Sequence, residues 1–118
     1  MREVLEEIRK QLEAIGPKVY YGKAAALSKD DEWNYVVFFR DRFELNQNKT
    51  SGSLYFKVAV VRENYVDENM EWKLIDQLRE IPGMKPVPDA EYLYTTKPDT
   101  QNVVEVLSMS FCLACKSG

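Results

Sequence analysis

The sequence predicts an α+β domain: a mainly antiparallel sheet with two helices packed on it, in the order α-β-β-β-α-β-β. Three observations predict it. Two segments, 2–15 and 69–81, carry apolar residues at helical spacing. Between and after them lie β-branched and aromatic runs of strand length. Polar turn clusters join successive strands, which favours antiparallel neighbours. At 118 residues, 1–118 is expected to be one domain with a single core.

In the first helix, Val4, Leu5, Ile8, Leu12 and Ile15 form one stripe. Gly16-Pro17 should end it, with glycine in a left-handed cap and proline unable to extend the ladder. Val19-Tyr20-Tyr21 reads as a short strand closed by Gly22, and Lys23 to Glu32 as a connector with room for a helical turn. Trp33 to Phe39 is a strand apolar on both faces at Val36 to Phe39, so a helix or another subunit should cover each face. Glu44 to Ser53 is rich in turn-forming residues and reads as a flexible hairpin loop. Leu54 to Val61 alternates with period two and is the clearest strand.

Asp67 is the expected N-cap of the second helix, with Glu68 and Glu71 favourable in its first turn. Met70, Leu74, Ile75, Leu78 and Ile81 form its stripe, and Pro82-Gly83 stops it. Trp72 falls off the stripe; partial burial is the favoured expectation over a partner-binding anchor. Pro86 and Pro88 mark a connector, Glu91 to Thr96 a strand with Tyr92 and Tyr94 on one face, and Lys97 to Asn102 a turn. The last strand, Val103 to Ala114, sets Leu107, Met109, Phe111 and Leu113 against a face of small residues, Ser108, Ser110, Cys112 and Ala114. That small face permits close approach by the chain's own helix or by a neighbouring subunit.

Composition narrows the function. Apolar residues at 45% and charged residues at 30% are those of a globular chain, which argues against general disorder. The net charge of −3 and the lack of a basic tract argue against nucleic acid as a partner. The aromatics Trp33, Tyr35, Phe38, Phe39, Tyr55 and Phe56 sit in apolar runs and are expected in the core, not as base-stacking platforms. The opening residues alternate charge and apolarity, unlike a signal peptide, and no apolar stretch is long enough to span a bilayer. A cytosolic chain with reduced cysteines is expected, which makes Asn48-Lys49-Thr50 a chance glycosylation match.

No catalytic constellation is visible. The absence of histidine removes the commonest general base and metal ligand at neutral pH. Asp30/Asp31 and Glu6/Glu7 lie in charged surface runs, and no glycine pattern would cradle phosphate. Cys112 and Cys115 match C-x-x-C, but at a strand end their spacing puts the two sulfurs on opposite faces. A zinc site would also need a second ligand pair. The expectation is therefore no catalytic residue, no metal and no cofactor.

The layout as a whole resembles the tail terminator, or tail-completion, proteins of long-tailed bacteriophages and prophages. The opening helix ends at Ile15-Gly16-Pro17 and runs into Val19-Tyr20-Tyr21-Gly22. Trp33-Asn34-Tyr35-Val36-Val37-Phe38 follows a small-residue connector, and a hairpin leads to Tyr55 to Val61, the helix Asn69 to Ile81 and two closing strands. The resemblance implies a non-enzymatic subunit of a homo-oligomeric ring, typically hexameric, that caps the tail tube and meets the head-completion proteins. Its partners would be copies of itself, the tail tube protein and those head proteins. It would reside in the bacterial host cytoplasm during assembly and then in the virion tail. A closed ring needs two different contact patches per subunit. The loop residues Asn46, Gln47, Asn48, Lys49, Thr50 and Ser51 are the candidate assembly contact. The competing expectation is a small cytosolic regulatory or ligand-binding α+β module, monomeric or dimeric; an enzyme without histidine and another head–tail connector subunit are the remaining alternatives.

Overall fold

The computed structural model describes residues 1–24 and 27–116. Helix α1 (Arg2–Glu13) lays Ile8 and Leu12 into the core, and β1 (Val19–Tyr21) comes after a short turn. The helix is shorter than its apolar stripe. Ala14 remains right-handed, and Gly16 does not adopt the left-handed cap expected of it. The last carbonyls are instead closed by tight turns, Ile15 N–H to Leu12 O at 2.8 Å and Gly16 N–H to Leu12 O at 3.2 Å.

Strands β2 (Tyr35–Leu45) and β3 (Ser51–Glu63) form a long hairpin; α2 (Met70–Leu78), β4 (Met84–Thr96) and β5 (Val103–Lys116) complete the chain. The element order is the one the sequence predicts. The sheet order is β1-β2-β3-β5-β4, antiparallel throughout except for the β1–β2 pair. That pair is the exception in a sheet that is mainly antiparallel, as predicted. A parallel neighbour needs a crossover, and residues 22–34 supply enough chain to return to the start of β2. The described part of this connector holds a turn at Ser28 to Asp31 and no helix; Ala25 and Ala26 lie outside the described residues.

Both helices pack on one sheet face. Leu12, Ile8, Met70, Leu74 and Leu78 meet Val36, Phe38, Phe56, Val58, Val60, Leu107, Met109 and Phe111 in a single apolar cluster. Gln77 Nε2 donates to Gln11 Oε1 at 2.5 Å and ties α2 to α1, while Arg9 Nη1 donates to Val19 O at 2.7 Å and ties α1 to β1. Helix α2 starts at Met70 with Asn69 in a left-handed conformation (φ 66°) and no side-chain cap. Asp67 is therefore not the N-cap. Its carbonyl accepts the Met70 N–H at 3.2 Å, a turn that leads into the helix. Gly83, at φ +83°, makes the left-handed turn after α2.

The opposite face is only partly covered. Val37, Val61 and Val104 alternate away from the helices yet are buried, outside the main cluster. They lie at the end of the sheet where the connector is tied down. There Trp33 Nε1 donates to Ser28 O at 2.9 Å, and the Lys97 ammonium reaches Asp31 O and Glu63 Oε1, each at 2.7 Å. Of the run Val36 to Phe39, Val36 and Phe38 join the helix-side core, while on the other face Val37 is buried and Phe39 half-buried. The small residues of β5 lie opposite the helices, with Ser108, Ser110 and Cys112 half-buried and Ala114 exposed, so no helix of the described chain uses their close approach. Of the aromatics assigned to the core, Phe38 and Phe56 are fully buried, whereas Trp33, Tyr35, Phe39 and Tyr55 are half-buried.

Candidate assembly surfaces

Beyond the helices, the sheet continues as an arm made of the ends of β2, β3 and β5, in a molecule 51 × 27 × 24 Å across. Every residue from Arg40 to Thr50 is exposed. The sequence predicts a strand ending at Phe39, but β2 runs on to Leu45, because polar residues alternate with apolar ones where one side meets water. A register shift between Arg40 and Arg42 re-aims the rest of the strand. It sets Arg42 opposite Tyr55 and Phe43 opposite Leu54, so Phe43 and Leu45 lie on the helix side and Arg42 and Glu44 on the other.

The two faces of the arm differ chemically. On the far face the Arg42 guanidinium stacks 3.9 Å from the Tyr55 ring centre, and the Tyr55 hydroxyl donates to Glu44 Oε1 at 3.2 Å. Loss of solvent, then the Glu44 carboxylate, pushes the Tyr55 phenol above its ordinary value. On the helix side Phe43 and Leu45 are 54% and 63% exposed beside half-buried Leu54, Leu113 and Cys115, because neither helix extends this far. The Phe43 ring covers Gly52; a Cβ there would lie 2.5 Å from Phe43 Cζ and 2.6 Å from Glu44 O.

The predicted contact residues sit at the arm's tip. The loop is shorter than expected: Asn46 to Thr50 form the turn, while Ser51 opens β3. The turn is hydrogen-bonded within itself. Asn46 N–H donates to Ser51 O and Lys49 N–H to Asn46 O, both at 2.9 Å, and Thr50 N–H to Asn48 Oδ1 at 3.0 Å. Lys49 takes the left-handed position at φ 58°, and Gln47 is exposed between these ties. Asn46 through Ser51 are thus brought together at one hydrogen-bonded tip.

A second surface lies at the opposite margin. The sequence predicts a connector at Pro86 and Pro88, but both fall inside β4, at the register shift between Pro86 and Ala90. Proline is tolerated there because the outer edge of β4 pairs with no other strand among the described residues. Past the prolines, Ala90 to Thr96 leave that edge open, with Leu93 and Tyr94 exposed and Tyr92 bonded to the Glu71 carboxylate of α2. Trp72 is 63% exposed on α2 beside this edge, which corrects the expectation of partial burial. It lines a cleft with Ile75, Pro86, Pro88 and Met109. The off-stripe position of Trp72 carries the signal for this surface, and the frequency with which tryptophan is buried outweighs it in the sequence alone.

Cys112 and Cys115 are free thiols, paired with Tyr55 and Gly52 on alternate faces of the sheet. Among the described residues, no group of His, Cys, Asp and Glu is arranged to hold a metal, and no helix is long and apolar enough to cross a membrane. The buried Lys97 is held by Glu63 and Asp31 in a structural clasp that engages two of its three donors. No protein-family model matches the chain, and no curated protein sequence is similar to it.

Proposed function

We propose that this protein is a non-enzymatic assembly subunit, in keeping with its resemblance to phage and prophage tail terminators: a ring-forming piece that caps a tail tube and presents a surface to head-completion proteins. The observation that carries the reading is the presence of two dissimilar apolar patches at opposite margins of one sheet. One is Phe43 and Leu45 on the arm; the other is Trp72 and Tyr94 on the helix side of the β4 margin. Exposed aromatic clusters of this kind mark protein contacts, and two unlike patches per subunit are what a cyclic ring requires.

The tip Asn46 to Ser51, exposed through Thr50, is the part of the arm best placed to meet a tube. The test is to add the purified protein to growing tail tubes and measure tube length by electron microscopy. Capping predicts shortened tubes bearing protein at one end, and a tip shortened to a two-residue turn should lose that effect. Tubes of unchanged length with no bound protein would refute it.

A second reading, a small ligand-binding module, is favoured by the cleft beside Trp72, which has one aromatic wall and the charged Glu71 and Arg79 at its rim. A change in Trp72 fluorescence on titration with small metabolites would support it.

A further inference from the structure

We propose that copies of this chain join by adding β4 of one copy, along Ala90 to Thr96, to the open edge of β2 of the next, along Phe39 to Leu45. The proposal rests on the ring-subunit reading and names the contact within it. Strand β1 pairs with β2 only at Val36 to Phe38, so β2 has no partner on that side beyond Phe38 among the described residues. Beyond the prolines, the outer edge of β4 is likewise open. Two open edges of equal length therefore lie on opposite sides of one sheet.

Strand direction fits without adjustment. β2 is antiparallel to β3, β3 to β5, and β5 to β4, so β4 runs opposite to β2. A sheet continued into the next copy with its helices on the same side brings these two edges together antiparallel. The side chains also agree. Tyr92 and Tyr94 lie on the helix side of β4, and after the bulge so do Phe43 and Leu45 of β2. Joining the edges covers the apolar patch of the arm with the tyrosines of the neighbour, and sets the tip with Lys49 toward the neighbour's Trp72 cleft and Asp89. A two-fold β4–β4 or β2–β2 pairing would leave one of the two patches bare.

The step between copies suits closure. Tyr92 stands level with Val36 across the sheet, whereas the open part of β2 starts at Phe39. Each copy adds four strands, β2-β3-β5-β4, to the continued sheet, about 19 Å across the strands, and the next one is displaced by roughly 20 Å along them. Those lengths incline the strands by about 45°, at the upper end of the range of closed barrels.

The test is a complementation between two edge-blocked variants, Leu45→Lys and Tyr94→Lys. Both residues are more than half exposed, so each variant should keep the wild-type circular dichroism and melting temperature. The wild type at high concentration is expected to form assemblies by sedimentation. Each variant alone should remain at the 13.7 kDa monomer, and their equimolar mixture should give a heterodimer and nothing larger. Wild-type protein that never self-associates, variants that assemble as the wild type does, or either variant dimerising by itself would overturn the edge pairing. Rings that persist in both variants would overturn it while leaving the ring reading intact. Open fibres in place of rings, abolished by both substitutions and restored as a heterodimer by mixing, would support the pairing and remove the ring.

Discussion

Lys97 Nζ lies 2.7 Å from Glu63 Oε1, and this ion pair joins the turn between β4 and β5 to the end of β3. The same ammonium donates to Asp31 O at 2.7 Å, which adds the connector between β1 and β2. Glu63 Oε2 also accepts the Trp33 N–H at 3.4 Å, and its own N–H donates to Asn34 Oδ1 at 3.3 Å. One buried lysine therefore ties three segments together at the end of the sheet where Val37, Val61 and Val104 are buried.

Replacing Lys97 with Met should leave the Glu63 carboxylate and the Asp31 carbonyl without their donor. The expected loss is about 2 kcal/mol of folding stability, since the lost bonds are charge-assisted and one partner is nearly buried. Urea unfolding of the two proteins measures it, with a lowered midpoint and an unchanged slope. A midpoint equal to that of the wild type would show the clasp to be dispensable.

The hydrogen bond from Lys97, opposed in part by loss of solvent and aided by the Trp33 N–H, holds the Glu63 carboxyl below its ordinary value of 4.5. The folded chain thus takes up this proton at lower pH than the unfolded chain does. Its contribution to stability is complete above the ordinary glutamate range and is lost as pH falls through the lowered folded value. Glu63→Gln should flatten that part of the acid unfolding curve. An identical acid slope in both proteins would count against the assignment.

Gly52→Ala should destabilise the arm, because the added methyl collides with the Phe43 ring and with the backbone carbonyl of Glu44. The side chain can turn away but the carbonyl cannot without shifting the strand, so a cost of about 2 kcal/mol is expected. Hydrogen exchange is the sharper readout: amides of Phe43 to Leu54 should lose protection while those of α1 and α2 keep theirs.

Leu74→Ala removes a fully buried side chain from α2, at the centre of the core shared by helices and sheet. About 3 kcal/mol of destabilisation is expected for such a cavity. Trp72→Ala, two residues earlier and largely exposed, should shift stability by no more than about 0.5 kcal/mol. It should nevertheless weaken self-association. Equal effects of the two substitutions on thermal unfolding would mean that Trp72 packs within its own chain.

The elements legible in the sequence are those with one wet and one dry side. The stripe Met70, Leu74, Leu78 and the alternation Phe56, Val58, Val60 each carry their periodicity in the residues themselves. Structure that depends on partners remote in the chain is harder to read. Arg40 to Leu45 and the ends of β3 and β5 support one another as strands although their polar residues mimic a loop. The bulge at Arg40/Arg42 moves Phe43 to the other face, and no local pattern announces it. Pro86 and Pro88 signal a break, yet an edge strand accommodates them at a register shift. Of the candidate contact, Asn46 to Ser51 is legible as a turn from its composition. The open edges are not, because edge status depends on sheet order, and sheet order depends on the parallel placement of β1.

The central claim is that this chain is a ring subunit, and electron microscopy of the purified protein at high concentration, with mass determined on the same sample, tests it most directly. Closed rings of uniform diameter are expected, with a mass that is a fixed multiple of 13.7 kDa. A compact monomer or a two-fold dimer at every concentration would contradict it.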